Sequence, residues 1–248
     1  MEIKLNTFKK LFDTLSHRNS HAQVFRDFLD AVICALSGQR MEAQYLDIIK
    51  QYEKKEIDLF AALFGEMVNL MDGDGSGYVD ALGEFFMQEI TYGKNGQFFT
   101  PPHVCDMMAL MSGEQETFNK TICDPSCGSG RMLLSYAKAY GKMNWFYAAD
   151  LDENCAKMTA INFCLNGLRG EVAHMNSLSL DLYKVYQIYF DPEREFVPTI
   201  RIMENENSVF YTNPEIRKEV VVQAERKKQN GTKQQFNLFE FSELSLQE

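Results

Sequence analysis

The segment Thr121–Leu134 carries the residue types of this sequence that are best suited to binding and reacting a ligand. An apolar run ends at Asp124, a turn with Gly128, Ser129 and Gly130 follows, and a helical apolar pattern begins directly after the turn. Glycines are needed in such a turn because a side chain would hold the backbone away from the ligand and block close packing of the strand on the helix. The segment therefore predicts a strand, a nucleotide-binding turn and a helix.

The charged groups near this turn indicate which nucleotide it binds. A dinucleotide-binding turn has glycines spaced Gly-x-Gly-x-x-Gly and holds a pyrophosphate at the helix N-terminus. Here only two glycines stand close together, and the carboxylate of Asp124 repels phosphate and suits an ammonium group. Two further predicted strands end at Asp150, which can accept hydrogen bonds from ribose hydroxyls, and at Asn176, which can meet the adenine edge. Ribose, adenine and an amino acid without phosphate describe S-adenosylmethionine.

Two motifs together carry a family resemblance. The first is Asp124–Gly130, and the second is the upstream Gly-Gln-Phe-Phe-Thr-Pro of Gly96–Pro101. At this spacing they resemble the N6-adenine DNA methyltransferases of the type I restriction-modification methylase-subunit kind, including short forms on phages and mobile elements. The similarity extends from about His17 to Leu180. It implies the α/β fold class, with a Rossmann-like methyltransferase core and an N-terminal helical subdomain. The short chain after the third strand leaves a truncated sheet as an alternative to a complete one.

The resemblance also implies which residues bind the cofactor. In that family the Phe-Thr-Pro segment closes over the methionine end of S-adenosylmethionine, the glycine-containing turn lines the methionine and the sugar, and the ends of the next two strands hold the ribose and the adenine. The implied residues, in that order, are Phe99, Thr100 and Pro101; Asp124, Ser126, Gly128, Ser129 and Gly130; Asp150; and Asn176, Ser177 and Leu178.

The catalytic step has a weaker signal than the cofactor site. Methylation of adenine N6 needs a flipped-out base that is held by stacking while side-chain and backbone oxygens accept its amino hydrogens. In the family an (Asn/Asp)-Pro-Pro-(Tyr/Phe) loop does this, and this sequence has no such tetrapeptide. The nearest candidate is Asn213-Pro214-Glu215-Ile216, which keeps the amide and one proline but lacks the aromatic residue. A plain turn is the competing interpretation.

Two enzymatic hypotheses and one non-enzymatic hypothesis follow. The first is a DNA methyltransferase that modifies adenine N6 in a restriction-modification or mobile-element setting, with Asn213 and Pro214 as the catalytic candidates. The alternative is a catalytically incomplete S-adenosylmethionine-binding protein that serves as an accessory or antirestriction module. An enzyme that methylates RNA or protein is the third hypothesis, which the Phe-Phe-Thr-Pro motif disfavours.

The chain is predicted to have three parts. Apolar residues recur at helical spacing through residues 1–93, which predicts a helical subdomain. Ser20 is the expected N-cap of its second helix. Residues 94–215 form the predicted methyltransferase domain, and residues 216–248 a polar, partly disordered interaction tail. The short stretch of chain after the third strand has room for two more strands, one at Tyr186–Phe190 or Thr199–Met203 and one at Ser208–Tyr211. We therefore expect a second copy or a partner subunit to cover an exposed sheet edge.

Composition limits the partners and the location. The 248 residues are 45% hydrophobic and 24% charged, as in ordinary globular proteins. The sequence has no apolar run of about 18 residues and no secretory pattern, so no membrane association and a cytoplasmic location are expected. A net charge of −10 argues mildly against the expected DNA partner, although basic residues cluster in 217–228 among acidic ones.

Three short patterns have competing interpretations. Asp72–Asp80 resembles a calcium loop, but the twelfth position is Gly83 where a bidentate glutamate is required. His17 and His21 have ligand spacing without a further ligand nearby, so no metal is expected. Gln235–Phe239 resembles the pentapeptide by which bacterial proteins bind the DNA sliding clamp; packing onto the domain, or no role, are the alternatives.

Overall fold

A computed structural model of the chain describes residues 5–73, 75–91, 98–112 and 118–211. The helices are α1 (Asn6–Leu15), α2 (His21–Ala35), α3 (Glu42–Ile49), α4 (Lys54–Asp72), α5 (Ala81–Phe85), α6 (Pro102–Ser112), α7 (Arg131–Tyr140) and α8 (Glu153–Asn166). The strands are β1 (Thr121–Asp124), β2 (Trp145–Asp150), β3 (Gly170–Asn176), β4 (Asp181–Asp191) and β5 (Val197–Met203). A π-helical turn, Phe86–Ile90, continues α5. None of the described helices combines the length and the apolar composition needed to cross a membrane.

The strands form one mixed sheet in the order β1-β2-β3-β4-β5. The first three are parallel, because α7 and α8 form the crossovers between them. The remaining two run antiparallel as a hairpin beside β3. The predicted strand ends at Asp124, Asp150 and Asn176 are confirmed, and the sheet therefore places all three at one edge, the carboxyl ends of its parallel strands.

One expected strand is absent. The sequence predicted a strand over Ser208–Tyr211, but this segment is a turn. The Ser208 hydroxyl and the Val209 backbone N–H both donate to the carboxylate of Glu171, at 2.7 and 3.1 Å, and Phe210 packs edge-on against Tyr147. The N–H groups of Phe210 and Tyr211 donate to Ser208 within the same turn. The strand prediction was wrong because Glu171 and the turn itself take up the backbone N–H groups that strand pairing needs.

The described sheet has an open edge at β1. Within the described ranges only β2 pairs with this strand. Elsewhere on the surface, α6 packs against α7 and leaves four apolar side chains 46–79% exposed, namely Met107, Met108, Leu110 and Met111. The described residues thus form a five-stranded sheet with an unpaired edge at β1.

The N-terminal helices share a hydrophobic core with the sheet. The rings of Phe8, Phe12, Phe25 and Phe85 contact one another, and the same buried cluster continues through α7 and α8 into the sheet. Ser20 caps α2 as expected, since its hydroxyl accepts the N–H of Gln23. The expected boundaries near residues 93 and 215 lie outside the described residues, as does the tail with Gln235–Phe239. The division into three parts therefore stays a prediction.

Candidate functional site

The turn between β1 and α7 has the backbone shape that its glycines predict. Gly128 and Gly130 have φ values of +56° and +82°, in the left-handed region that favours glycine. The backbone N–H of Cys127 donates to the carbonyl of Ala149 in β2 at 2.9 Å. The turn is therefore fastened to the neighbouring strand as well as to its own helix.

Two carboxylates from neighbouring strand ends lie beside this turn. Asp150 accepts the N–H of Gly128 at 2.8 Å on one oxygen and the N–H of Asp152 at 2.9 Å on the other. Asp124 accepts the N–H of Ser126 at 3.1 Å. Burial raises the pKa of Asp124 and of Asp150, and backbone N–H donors offset only part of this effect. Both groups are thus desolvated acids that a hydroxyl or ammonium donor would stabilise in the ionised form.

The end of β3 forms the third side of the site. The side-chain oxygen of Asn176 accepts the N–H groups of Leu178 and Ser179, at 3.0 and 3.2 Å, which leaves its amide nitrogen as the donor that can face a ligand. The Ser177 hydroxyl donates to the carbonyl of Pro125 at 2.6 Å and so ties this end to the β1–α7 turn. The side chain of Leu178 is 98% exposed, so it does not form a wall of the site.

The Phe99–Pro101 segment lies on the glycine-containing turn. A Cβ added to Gly128 would stand only 2.9 Å from ring carbons of Phe99, so that ring can lie on the turn only because residue 128 has no side chain. The ring of Phe99 also stacks on Phe86, with centroids 5.9 Å apart. The Pro101 carbonyl accepts the N–H of Val104 and begins α6. The structure thus brings the two motifs of the resemblance together.

The side chain of Ser129 differs from the expected role in lining the cofactor. Its hydroxyl is buried and donates to the carboxylate of Asp80 at 2.5 Å, away from the open side of the turn. Asp80, the ninth residue of the calcium-like pattern, therefore turns inward, and Asp74 of that pattern lies outside the described residues. Asp80 was not predicted as a site residue. The available signal was an aspartate directly before the apolar start of α5, a residue type typical of a helix N-cap.

Two further buried residues at the site were missed. The guanidinium of Arg131 lies between Asp80 and the Thr100 carbonyl, and the Asn162 amide donates to Asp80 and to the Ser129 carbonyl. No sequence pattern indicated them, because their partners are 31 to 82 residues distant in the chain. Asn213 and Pro214, the catalytic candidates, lie outside the described residues and remain predictions.

The sequence of this chain is similar to a known protein family. A family model described as N-6 DNA Methylase matches residues 78–237, more than half of the chain. The type I restriction enzyme MpnII methylase subunit of Mycoplasma pneumoniae is 22% identical over 138 residues, which are 54% of this chain and 22% of that protein. The chain thus spans about a fifth of the length of this curated relative.

Two solved structures are also similar. One is a putative class I S-adenosylmethionine-dependent methyltransferase from Listeria monocytogenes, with a TM-score of 0.43 and 15% identity over 67% of this chain and 52% of that one. The other is the methyltransferase subunit of a type I restriction-modification system from Streptococcus thermophilus, with a TM-score of 0.35 and 20% identity over 67% and 38%. The family match covers the β1–α7 turn, both strand-end carboxylates and the Phe99–Pro101 segment, and this chain therefore belongs to the N-6 DNA methylase family.

Proposed function

We propose that this protein binds S-adenosylmethionine at the carboxyl ends of β1, β2 and β3. The observation that carries this proposal is the pair of desolvated carboxylates, Asp124 and Asp150, whose partners in the structure are backbone N–H groups. Ribose hydroxyls would donate to Asp150, and the ammonium group of the methionine would pair with Asp124. Each contact would offset the cost of burying an ionised carboxylate. Two carboxylate acceptors therefore suit this cofactor better than a phosphate-bearing one.

The remaining residues would orient the bound cofactor. Phe99, Thr100 and Pro101 would cover its methionine end, with Ser126, Gly128 and Gly130 beneath it, and Asn176, Ser177 and Leu178 would lie on its adenine side. When bound, S-adenosylmethionine supplies an electrophilic methyl group. The contribution of this chain is to hold that group in one orientation and to exclude water from it.

We propose adenine N6 in DNA as the methyl acceptor, in a restriction-modification or mobile-element setting. Membership of the N-6 DNA methylase family and the similarity to a type I restriction enzyme methylase subunit support this acceptor. A cytoplasmic location and the three-part division at residues 93 and 215 belong to the same proposal. Binding of Gln235–Phe239 to the sliding clamp is a separate prediction that these comparisons do not support.

A second candidate function is an accessory or antirestriction module that binds S-adenosylmethionine without transferring its methyl group. Two observations favour it: the sequence has no (Asn/Asp)-Pro-Pro-(Tyr/Phe) tetrapeptide, and the described part of the sheet has no strand beside the open edge of β1. A group that stacks on the target base would then come from another chain.

Nucleoside mass spectrometry distinguishes these functions. The chain is expressed in a bacterial host that lacks adenine methylation, and N6-methyladenine is measured in the host DNA. We expect the modified base with the wild-type chain and none with Asp150→Ala, which should also lose about 1–3 kcal/mol of S-adenosylmethionine binding by leaving ribose hydroxyls unpaired. The exposed-site variant Asp58→Ala is the matched control. A folded wild-type chain that binds the cofactor but leaves DNA unmodified would be the accessory module, and absence of binding would refute both functions.

A further inference from the structure

The buried polar cluster behind the glycine-containing turn is built around Asp80. Its carboxylate accepts four hydrogen bonds from four residues: the Gly83 N–H at 2.9 Å, the Ser129 hydroxyl at 2.5 Å, Nε of Arg131 at 2.9 Å and the Asn162 amide at 3.0 Å. Four bonds fill the capacity of a carboxylate. Asp80 is only 5% exposed, so this arrangement satisfies a charge that burial would otherwise make costly.

Arg131 connects this cluster to the segment that covers the turn. It is 5% exposed, and its three donor groups point to three different partners. Nε donates to Asp80, Nη1 donates to the Thr100 backbone carbonyl at 3.1 Å, and Nη2 reaches Glu84 at 3.4 Å. A guanidinium can do this because its donors are fixed in one plane, whereas a lysine ammonium would reach fewer acceptors at once.

The packing around the cluster leaves little freedom for another arrangement. A Cβ on Gly83 would overlap both the Asp80 carboxylate and the Ser129 side chain, so α5 can approach the turn only with glycine at this position. The π-helical turn after α5 then presents Phe86 to the ring of Phe99, and the Sδ atom of Met87 lies 3.3 Å from the Phe99 backbone nitrogen. Two independent groups, Arg131 and the π-helical turn, thus hold the Phe99–Pro101 segment.

We propose that Arg131, held by Asp80, is a positioning residue that fixes the Phe99–Pro101 segment over the methionine end of bound S-adenosylmethionine. This inference rests on the proposed binding of S-adenosylmethionine. Arg131 touches neither ribose nor adenine residues: its contacts are with Asp80, Glu84 and Thr100, and it begins α7 on the inner side of the turn. Its removal should therefore weaken recognition of the methionine part and leave recognition of the nucleoside part.

The test compares S-adenosylmethionine with a ligand that lacks its aminocarboxypropyl group and, with it, the positive charge on sulfur. Affinities for S-adenosylmethionine and for 5′-methylthioadenosine are measured by calorimetry for the wild type, Arg131→Met and Arg131→Lys. Loss of charge-assisted hydrogen bonds predicts about tenfold or greater weakening of S-adenosylmethionine binding in Arg131→Met, with a smaller loss in Arg131→Lys and a change below about threefold for methylthioadenosine. Equal weakening of both ligands, or no weakening, would overturn the positioning role.

A second readout does not depend on cofactor binding. Hydrogen exchange of the backbone amides at residues 98–100 should accelerate in Arg131→Met and in Asp80→Asn, because the Thr100 carbonyl loses its anchor. The matched control is Lys157→Met, which removes another buried cation, paired with Asp30 at 2.7 Å and Glu153 at 3.3 Å, on a different helix. Unchanged exchange at 98–100 would contradict the inference even if the wild type bound no cofactor, and failure of wild-type binding alone would count only against the proposed function.

Discussion

Asp124 and Asp150 show how a binding site is made from groups that oppose folding. Burial raises the pKa of both carboxyls, so the folded chain holds their protons more firmly than the unfolded chain does. Their contribution to stability is therefore greatest at low pH and is lost as the pH rises through the raised pKa values. A ligand ammonium or hydroxyl would reverse this cost, because it favours the ionised form.

This linkage predicts a pH-dependent affinity. Binding of S-adenosylmethionine should weaken as the pH falls through the raised pKa values, beginning at a higher pH than for an ordinary aspartate. The Asp124→Asn variant should bind with an affinity that depends less on pH. At neutral pH this variant should be at least as resistant to urea as the wild type, because it buries no ionised carboxylate at residue 124. Calorimetric titrations over a pH series, with exposed Asp58→Asn as the control, measure the profile. A wild-type profile that Asp124→Asn leaves unchanged would exclude Asp124 from cofactor binding.

The start of α7 depends on close packing between the glycine-containing turn and α8. Gly130 lies just before the helix with φ of +82°, and a Cβ there would stand 2.8 Å from the Thr159 methyl carbon. The Thr159 hydroxyl donates to the Gly128 carbonyl at 2.9 Å, so this residue also supports the turn. The site geometry thus requires a glycine for two separate reasons, backbone conformation and contact with α8.

Matched substitutions at two left-handed glycines separate these reasons. Gly167 ends α8 with φ of 67° and ψ of 36°, and the nearest neighbours of an added Cβ would lie 3.7 Å away or more, so Gly167→Ala carries the conformational cost alone, about 1 kcal/mol. Gly130→Ala should cost about 1–3 kcal/mol more, since overpacking is added. Urea denaturation measures both.

The double variant Gly130→Ala/Thr159→Ser identifies the contact. Serine retains the hydroxyl and removes the methyl group that meets the new Cβ, so it should recover part of the lost stability. Equal costs at residues 130 and 167, or no recovery in the double variant, would show that α8 is not packed against the turn in this way.

The sheet is covered on one face and open at one described edge. One face of the sheet is covered by α8, and α2 packs on α8 in turn, whereas the β1 edge has no strand neighbour within the described ranges. The exposed apolar side chains of α6, which packs on α7, are a second uncovered surface. Unpaired strand edges and contiguous apolar surface both favour association with another chain.

We therefore expect the purified chain to form a dimer through α6 and β1. Size-exclusion chromatography with light scattering should give the mass of two chains, and Leu110→Glu with Met111→Glu should reduce it to one because charges would be buried without partners. Leu46→Glu, which changes a 54% exposed leucine on α3, is the control and should not alter the mass. A single-chain mass for the wild type would contradict the dimer. The open edge would then be expected to bind a different protein.

Much of this protein was predictable from local sequence patterns. The glycine-containing turn, the acids at the ends of β1 and β2, the parallel order of three strands and the Ser20 cap depend on backbone conformation and on neighbours in the chain. Such features follow from short-range sterics and hydrogen bonding, which residue type determines. The juxtaposition of Phe99 with Gly128 came instead from the family resemblance, and the structure shows the contact.

Tertiary structure alone decided which polar groups meet across the chain. Asp80 looked like part of a calcium loop, yet it accepts hydrogen bonds from Ser129, Arg131 and Asn162, and Ser129 consequently faces inward. Glu171 likewise turned a predicted strand at Ser208–Tyr211 into a turn. The sequence by itself determined where strands end and where the backbone needs glycine, because those are local properties. It did not determine the partners of buried charges, because desolvation makes each buried charge take whichever donors the completed fold brings within reach.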